Sequence, residues 1–284
     1  AILAIADIGD EIILPAPFYF NHEMAVTMLG CNPVVVPTDS NHQLDLDAMR
    51  SAITKRTRAI VTTSPNNPSG AVYPEEDLRA VTALCREFGL FHISDEAYEY
   101  FTFDGASHFS PGSAKDADEH VISLFSLSKA YGFASWRIGY MATPPQLIDA
   151  VKKIQDTNLI CPPVVSQFAA LEAIRTGRAY CEEKLAEVQN VRNLVMERLA
   201  GWEEFATTAP AKGAFYFLLK IKTDLKSLSV AQRLIEEYKV AVIPGSAFGL
   251  TKNCFLRIAY GVLDRSTCEE ALDRLEKGLA AITS

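Results

Sequence analysis

Short apolar runs alternate with longer stretches of helical spacing over roughly the first half of the chain. Segments 11–14, 33–36, 59–62, 90–93, 121–127 and 138–142 are rich in β-formers and predict strands. Between several of them apolar positions recur at helical spacing. Over 74–88, Pro74 precedes an acidic first turn and Gly89 marks the stop. This alternation predicts an α/β fold, with a mostly parallel sheet flanked by helices. From about residue 146 helical spacing dominates, over 167–175 and 180–199. A strand over 214–221, a helix over 230–238, a short strand over 240–243, a strand over 254–259 and a helix over 266–281 follow. They predict a smaller C-terminal α+β domain. Residues 1–178 then form the large domain, and 179–284 the interdomain helix and the small domain.

The composition, 49% hydrophobic and 22% charged over 284 residues, is that of an ordinary globular protein. The formal net charge of -8, with no basic run, argues against a nucleic-acid partner. No apolar run is long enough to span a bilayer, so no membrane partner is expected. Cys31, Cys85, Cys161, Cys181, Cys254 and Cys268 have no metal or redox spacing. They are expected to be small buried hydrophobes in a reducing, cytoplasmic setting. The histidines form no ligand cluster, so no protein-held metal is expected. The chain opens on Ala-Ile-Leu-Ala-Ile-Ala with no helix cap, as if in mid-helix. The large domain is therefore expected to lack an N-terminal segment in this sequence.

In an open α/β sheet, ligands bind outside the carboxyl ends of the strands. The first predicted strand leads into Pro15-Ala16-Pro17-Phe18-Tyr19-Phe20-Asn21-His22, a proline-fixed loop with aromatics that could stack on a planar ring. The third leads into Ser64-Pro65-Asn66-Asn67-Pro68-Ser69-Gly70, a rigid turn that presents asparagine amides. The fourth leads into Ser94-Asp95-Glu96-Ala97-Tyr98, an acid with a tyrosine three residues on. The fifth leads into Ser126-Leu127-Ser128-Lys129, with Arg137 eight residues beyond the lysine. A lysine at the end of a buried strand is poorly solvated. Desolvation suits it to forming a Schiff base, because the amine stays neutral. Hydroxyls and an arginine beside it suit a phosphate. An aldehyde that also carries a phosphate matches this set.

These residues resemble the class I and II aminotransferases, the fold-type I enzymes that use pyridoxal phosphate. The resemblance spans nearly the whole chain. Asn67-Pro68-Ser69-Gly70 is similar to the family's Asn-Pro-Thr/Ser-Gly turn, and Asp95-Glu96-Ala97-Tyr98 to its Asp-Glu-x-Tyr. Ser126-Leu127-Ser128-Lys129 with Arg137 resembles its Ser-x-Ser-Lys and distal arginine. Phe255-Leu256-Arg257-Ile258 resembles its carboxylate-binding strand, and Gly213-Ala214-Phe215-Tyr216 and Pro244-Gly245-Ser246-Ala247-Phe248-Gly249 match typical family segments.

The resemblance implies roles residue by residue. Lys129 holds pyridoxal 5′-phosphate covalently, then moves the proton between the substrate Cα and the cofactor. Asp95 pairs with the pyridine nitrogen, so that the ring serves as an electron sink. Asn67 and Tyr98 hydrogen-bond the phenolic oxygen. Ser126, Ser128 and Arg137 bind the phosphate, although Ser128 could simply cap a turn. Tyr19 stacks on the ring, with Phe18 as its rival. Arg257 grips the substrate α-carboxylate, with Asn67 beside it. The implied reaction is ping-pong transfer of an amino group from an L-amino acid to a 2-oxo acid. The implied assembly is a homodimer with the active site at the subunit interface.

Two departures from the family pattern stand out. The phosphate loop at a helix start, expected upstream of Ala1, is not in this sequence. Aspartate-specific members use a partner-subunit arginine in a stretch that here reads Asn158-Leu159-Ile160-Cys161-Pro162-Pro163, without one. An apolar, aromatic or broad side-chain preference is therefore expected. The competing readings are a lyase or synthase of the same fold, such as a carbon–sulfur lyase, and the aminotransferase-like domain of a transcription regulator. An ATPase is a further rival, but the chain has no phosphate-binding Gly-x-x-x-x-Gly-Lys-Ser/Thr motif.

Overall fold

The computed structural model describes residues 1–115, 117, 119–261 and 264–283. Strands β1 (Glu11–Ala16), β2 (Asn32–Pro37), β3 (Thr57–Thr63), β4 (Phe91–Asp95), β5 (Val121–Ser126) and β6 (Gly139–Ala142) form one sheet, in the order β2-β1-β3-β4-β5-β6. The first five run parallel, and β6 returns antiparallel beside β5. Ile12, Ile13 and Leu14 of β1 are all fully buried, because both faces of a parallel sheet are covered. Ile12 and Leu14 enter one apolar cluster and Ile13 the opposite one, as strand alternation requires. Each such side chain contributes about 1.5–3 kcal/mol by leaving water.

Helices α1 (Ile2–Ile5), α2 (Phe20–Met28), α3 (Leu46–Ala52), α4 (Glu75–Phe88), α5 (Leu127–Ala130), α6 (Ile148–Asn158) and α7 (Val164–Thr176) precede, connect or follow these strands. Helix α4 has Glu75, Glu76 and Asp77 in its first turn and ends at Gly89 in the left-handed region, as its sequence predicts. The long α8 (Arg178–Leu199) leads to a second sheet. Arg192 on α8 is buried; it bonds Asp104 Oδ2 at 2.6 Å and the Ala211 carbonyl at 2.9 Å, tying the helix to the segment after β4.

The second sheet contains β7 (Ala206–Thr208), β8 (Tyr216–Ile221), β9 (Ile243–Pro244) and β10 (Cys254–Ala259), antiparallel and in the order β7-β8-β10-β9. Phe217, Leu219 and Ile221 of β8, with Cys254 and Leu256 of β10, pack in one cluster with residues of α9 (Ser227–Tyr238) and α10 (Arg265–Thr283). Alternation sends Tyr216, Leu218 and Arg257 to the opposite face.

The structure corrects several expectations. The aromatic loop is shorter than predicted, because α2 begins at Phe20. The strand expected over 240–243 shrinks to β9, because Lys239 caps α9 at φ +58° and the Val240 amide bonds Leu234 O. The edge strand β7 has no alternating pattern to announce it. Cys161 is exposed rather than buried; the other five cysteines are buried as expected.

Candidate active site

The carboxyl ends of β1, β3, β4 and β5 and the face of β10 nearest them bring the candidate residues together. Phe18 and Tyr19 follow β1. Phe18 is buried, and a Cβ at Gly249 would lie 2.5 Å from its ring, so Phe18 belongs to the core. Tyr19 caps α2, meets the His22 ring edge-on at 5.5 Å and feels the charges of Asp95 and Arg257. Of the two rivals, Tyr19 is the one left facing the charged groups.

The turn after β3 is held from within. Asn66 Oδ1 accepts from the Ser69 amide at 3.0 Å and the Ser69 hydroxyl at 2.7 Å. Gly70 closes the turn at φ +72°; a Cβ there would sit 2.7 Å from Ala211 Cβ and 2.9 Å from Tyr216 O. Only glycine permits both this backbone and this close approach. The neighbouring Asn67 is buried, and its Oδ1 accepts from Arg257 Nη1 at 2.7 Å.

Asp95 ends β4. Its Oδ2 lies 2.9 Å from His22 Nε2, and its Oδ1 accepts from the Ala97 amide at 3.1 Å. His22 was given no role on sequence grounds. Its signal was a histidine three residues after the aromatic Tyr19, on the first turn of a helix that was read as loop. Glu96 points elsewhere: it is fully buried, accepting from Ser110 Oγ at 3.0 Å and paired with His108 Nε2 at 2.9 Å. Tyr98 is buried, and its hydroxyl is 3.4 Å from Asn67 Nδ2 and 2.7 Å from Tyr216 Oη.

Lys129 lies in α5, immediately beyond β5. Ser126 caps this helix, its Oγ accepting from the Ser128 amide at 3.2 Å. The capping side chain is therefore Ser126, while Ser128 supplies the capped amide. The Lys129 amine lies 6.0 Å from the Tyr98 ring centroid and 5.9 Å from that of Phe215. Burial, with the positive charges of Arg257 and Arg137, holds its pKa below the usual lysine value. Arg137 adopts φ +52°, uncommon for a side-chain-bearing residue, and its Nη1 donates to Ala134 O at 2.8 Å.

Arg257 projects from β10 into this space. Its Cζ stands 4.4 Å over the Tyr216 ring and 5.1 Å from the Phe248 centroid, and burial lowers its pKa. Among the described residues its buried Nε has no hydrogen-bond partner.

The family profile for class I and II aminotransferases matches residues 1–275. The chain belongs to this family. It is a pyridoxal 5′-phosphate-dependent transaminase that moves an amino group from an L-amino acid to a 2-oxo acid in two half-reactions. The aromatic-amino-acid aminotransferase 2 of Thermococcus litoralis is 37% identical over 276 residues, 95% of this chain and 70% of that protein. The aspartate aminotransferase of Pyrococcus abyssi is also 37% identical over 276 residues, with the same 95% and 70% coverage. Among solved structures, the aromatic aminotransferase of Pyrococcus horikoshii superposes with a TM-score of 0.92 at 35% identity, over 99% of this chain and 76% of that one. The Thermus thermophilus aspartate aminotransferase with maleate gives 0.89 at 34%, over 98% and 72%. These relatives are transaminases, which favours transfer over the lyase and regulator alternatives.

The donor set of this transaminase fits its cofactor chemically. A lysine amine of lowered pKa, an aspartate, a phenol beside an amide, and serine hydroxyls at a helix start match an aldehyde, a ring nitrogen, a phenolic oxygen and a phosphate. Among the described residues no cluster of His, Cys, Asp or Glu could hold a metal, and no helix is long and apolar enough to cross a membrane.

Proposed function

We propose that Lys129, Asp95 and Tyr98 are the catalytic residues of this transaminase, acting on L-amino acids with apolar or aromatic side chains, or on a broad set. The observation that carries the proposal is the position of the Lys129 amine, partly buried just beyond β5 and 6.0 Å from the ring centroid of Tyr98, where burial and the charges of Arg257 and Arg137 lower its pKa. When bound, pyridoxal phosphate supplies the ring that draws electrons from the substrate Cα. Lys129 would hold it through Nζ, and the same amine, once free, would carry the proton from the substrate Cα to the cofactor. The lowered pKa keeps a larger share of the amine neutral, which both tasks need. Asp95, oriented by His22, holds positive charge at the ring nitrogen. Tyr98 and Asn67 donate to the phenolic oxygen. Ser126, Ser128 and Arg137 hold the phosphate, and Tyr19 covers a ring face. Arg257, with Asn67 bonded to it, binds the α-carboxylate.

Two features support the side-chain preference: the absence of an arginine over 158–163, and the aromatic-amino-acid aminotransferase among the relatives. Homodimer assembly is part of the same reading. Leu159, Ile160, Val164, Val165 and Phe168 are 61–72% exposed, a run of large apolar side chains that a second copy could cover. Ser166, on the buried side of the same helix, donates to Trp136 O at 3.2 Å and so ties α7 to the segment that carries Arg137. A second copy seated there would also cover the phosphate residues.

The test is a visible spectrum with pyridoxal phosphate, followed by amino donors added one at a time. Phenylalanine, leucine or methionine should convert the band at least as well as aspartate. A strong preference for aspartate would sink the side-chain reading, and a band that no donor converts would sink the site assignment.

A further inference from the structure

Tyr216 touches both halves of the site without any role in the reading above. Its hydroxyl is 2.7 Å from Tyr98 Oη, and its ring lies under the Arg257 guanidinium at 4.4 Å. Tyr216 is only 5% exposed and Tyr98 4%, so water is not a ready substitute for either contact. The Tyr216 carbonyl also abuts the turn that presents Asn67, where a Cβ on Gly70 would approach it to 2.9 Å.

Proton counting gives these contacts a direction. Arginine can only donate, so the 2.7 Å contact from Arg257 Nη1 assigns Asn67 Oδ1 as its acceptor. The amide nitrogen of Asn67 then faces Tyr98 Oη, at 3.4 Å, and donates to it. A phenol has one proton to give and two lone pairs to accept with. If Tyr98 is to spend its proton on the cofactor's phenolic oxygen, both lone pairs are open to donors: Asn67 fills one, and Tyr216 is placed to fill the other. A donated hydrogen bond polarises the receiving hydroxyl and makes its own proton a better donor. Meanwhile the Tyr216 ring steadies the arginine by cation–π attraction. The charged and titratable groups that bear on this tyrosine pair are Arg257, Asp95 and Tyr19, and the Lys129 amine lies 6.0 Å from the Tyr98 ring centroid.

We infer that Tyr216 is a positioning residue for the transamination reaction: its hydroxyl orients and polarises Tyr98 toward the cofactor, while its ring seats Arg257 for the substrate carboxylate. The inference rests on the site assignment made under the proposed function. It adds a second link, beside Asn67, between the carboxylate seat and the cofactor's phenolic oxygen.

The test separates the hydroxyl from the ring. The pH dependence of the cofactor's visible band is measured in wild-type holoenzyme, Tyr216→Phe and Tyr216→Leu, together with the Kd for 3-phenylpropionate read from the same band. A lost donor to Tyr98 weakens its bond to the deprotonated oxygen. Tyr216→Phe should therefore raise the band's apparent pKa by about 0.5–1 unit, the worth of an ordinary hydrogen bond, while changing the Kd less than about twofold. Tyr216→Leu should raise the band's pKa as well and weaken 3-phenylpropionate several-fold, as loss of a cation–π contact predicts. In a Tyr98→Phe background the Tyr216→Phe shift should vanish, because it acts through that hydroxyl.

An unmoved band pKa in Tyr216→Phe, or a shift that persists without the Tyr98 hydroxyl, overturns the hydroxyl role. An unchanged Kd in Tyr216→Leu overturns the ring role. Failure of the underlying site assignment has a different signature: a wild-type band that survives Lys129→Ala.

Discussion

The parallel sheet and the antiparallel sheet present side chains to the same site by different routes. In the parallel sheet the proposed site residues sit at or past the strand ends: Asn67 after β3, Asp95 at the last residue of β4, and Ser126 and Lys129 where β5 turns into α5. Each belongs to a turn that local bonds hold rigid, such as the Asn66–Ser69 pair or the Ser126 cap. In the antiparallel sheet the working residues lie within strands. Arg257 pairs with Leu218 and Ala259 with Tyr216, so Arg257 and Tyr216 share a face as diagonal neighbours. Their alternates, Leu256 and Phe217, are buried in the core on the other side. A one-residue slip would turn the arginine into that core, so burial there protects the site's register. Loop ends tolerate chemical variety, whereas a strand face gives fixed direction. The proposed reactive groups come from the first kind of position and the proposed carboxylate seat from the second.

This contrast can be broken from either side. The largest effect is expected in the parallel sheet: Lys129→Ala should abolish the covalent link to the cofactor and lower transamination roughly 10⁴-fold or more. Borohydride reduction followed by mass measurement checks it, and a label retained on the variant would refute the assignment. Arg257→Ala attacks the other sheet. It should leave the cofactor band in place and weaken amino-acid and oxo-acid binding by about 2–4 kcal/mol, or roughly 30- to 1000-fold. Substrate titration of the band measures this, and wild-type affinity for both substrates would count against the seat.

The remaining prediction concerns stability and is confined to the parallel sheet. His92 on β4 is completely buried between Thr62 Oγ1 and Thr82 Oγ1, and burial pushes its pKa down to about 3. The unfolded chain, with an ordinary histidine pKa near 6.5, binds a proton that the folded chain refuses between those two values. The stability is therefore fully present above about pH 6.5. It falls by up to about 1.4 kcal/mol per unit as pH drops below that, levelling near pH 3. Denaturant titrations at a series of pH values should show this slope in wild type and a shallower one in His92→Gln. Equal slopes would assign the acid sensitivity to other groups.

The strand-end residues were legible in the sequence because each announces itself locally. Lys129 follows an apolar run it does not suit, Asp95 ends another, and the prolines and glycine around Asn67 mark a turn. Arg257 was legible as a charge inside an apolar strand. What escaped were roles that exist only through space. His22 and Asp95 are 73 residues apart and Tyr98 and Tyr216 are 118 apart, and no periodicity encodes either pairing. The geometry also separates Phe18, the rival, from Tyr19, the residue expected to stack, because Phe18 fills the space beside Gly249. Strand β7 and the shortened β9 escaped because two or three residues are too few to carry a pattern.

The seating of Arg257 has a consequence for speed as well as strength. A free arginine samples many rotamers, and freezing it on ligand arrival would subtract from affinity. Here two rings and an amide oxygen have already done the freezing. If Arg257 has the role proposed for it, a carboxylate meets a finished socket with little to rearrange. Its capture should be close to a simple collision, leaving discrimination among amino acids to the far end of the ligand and to how soon it departs.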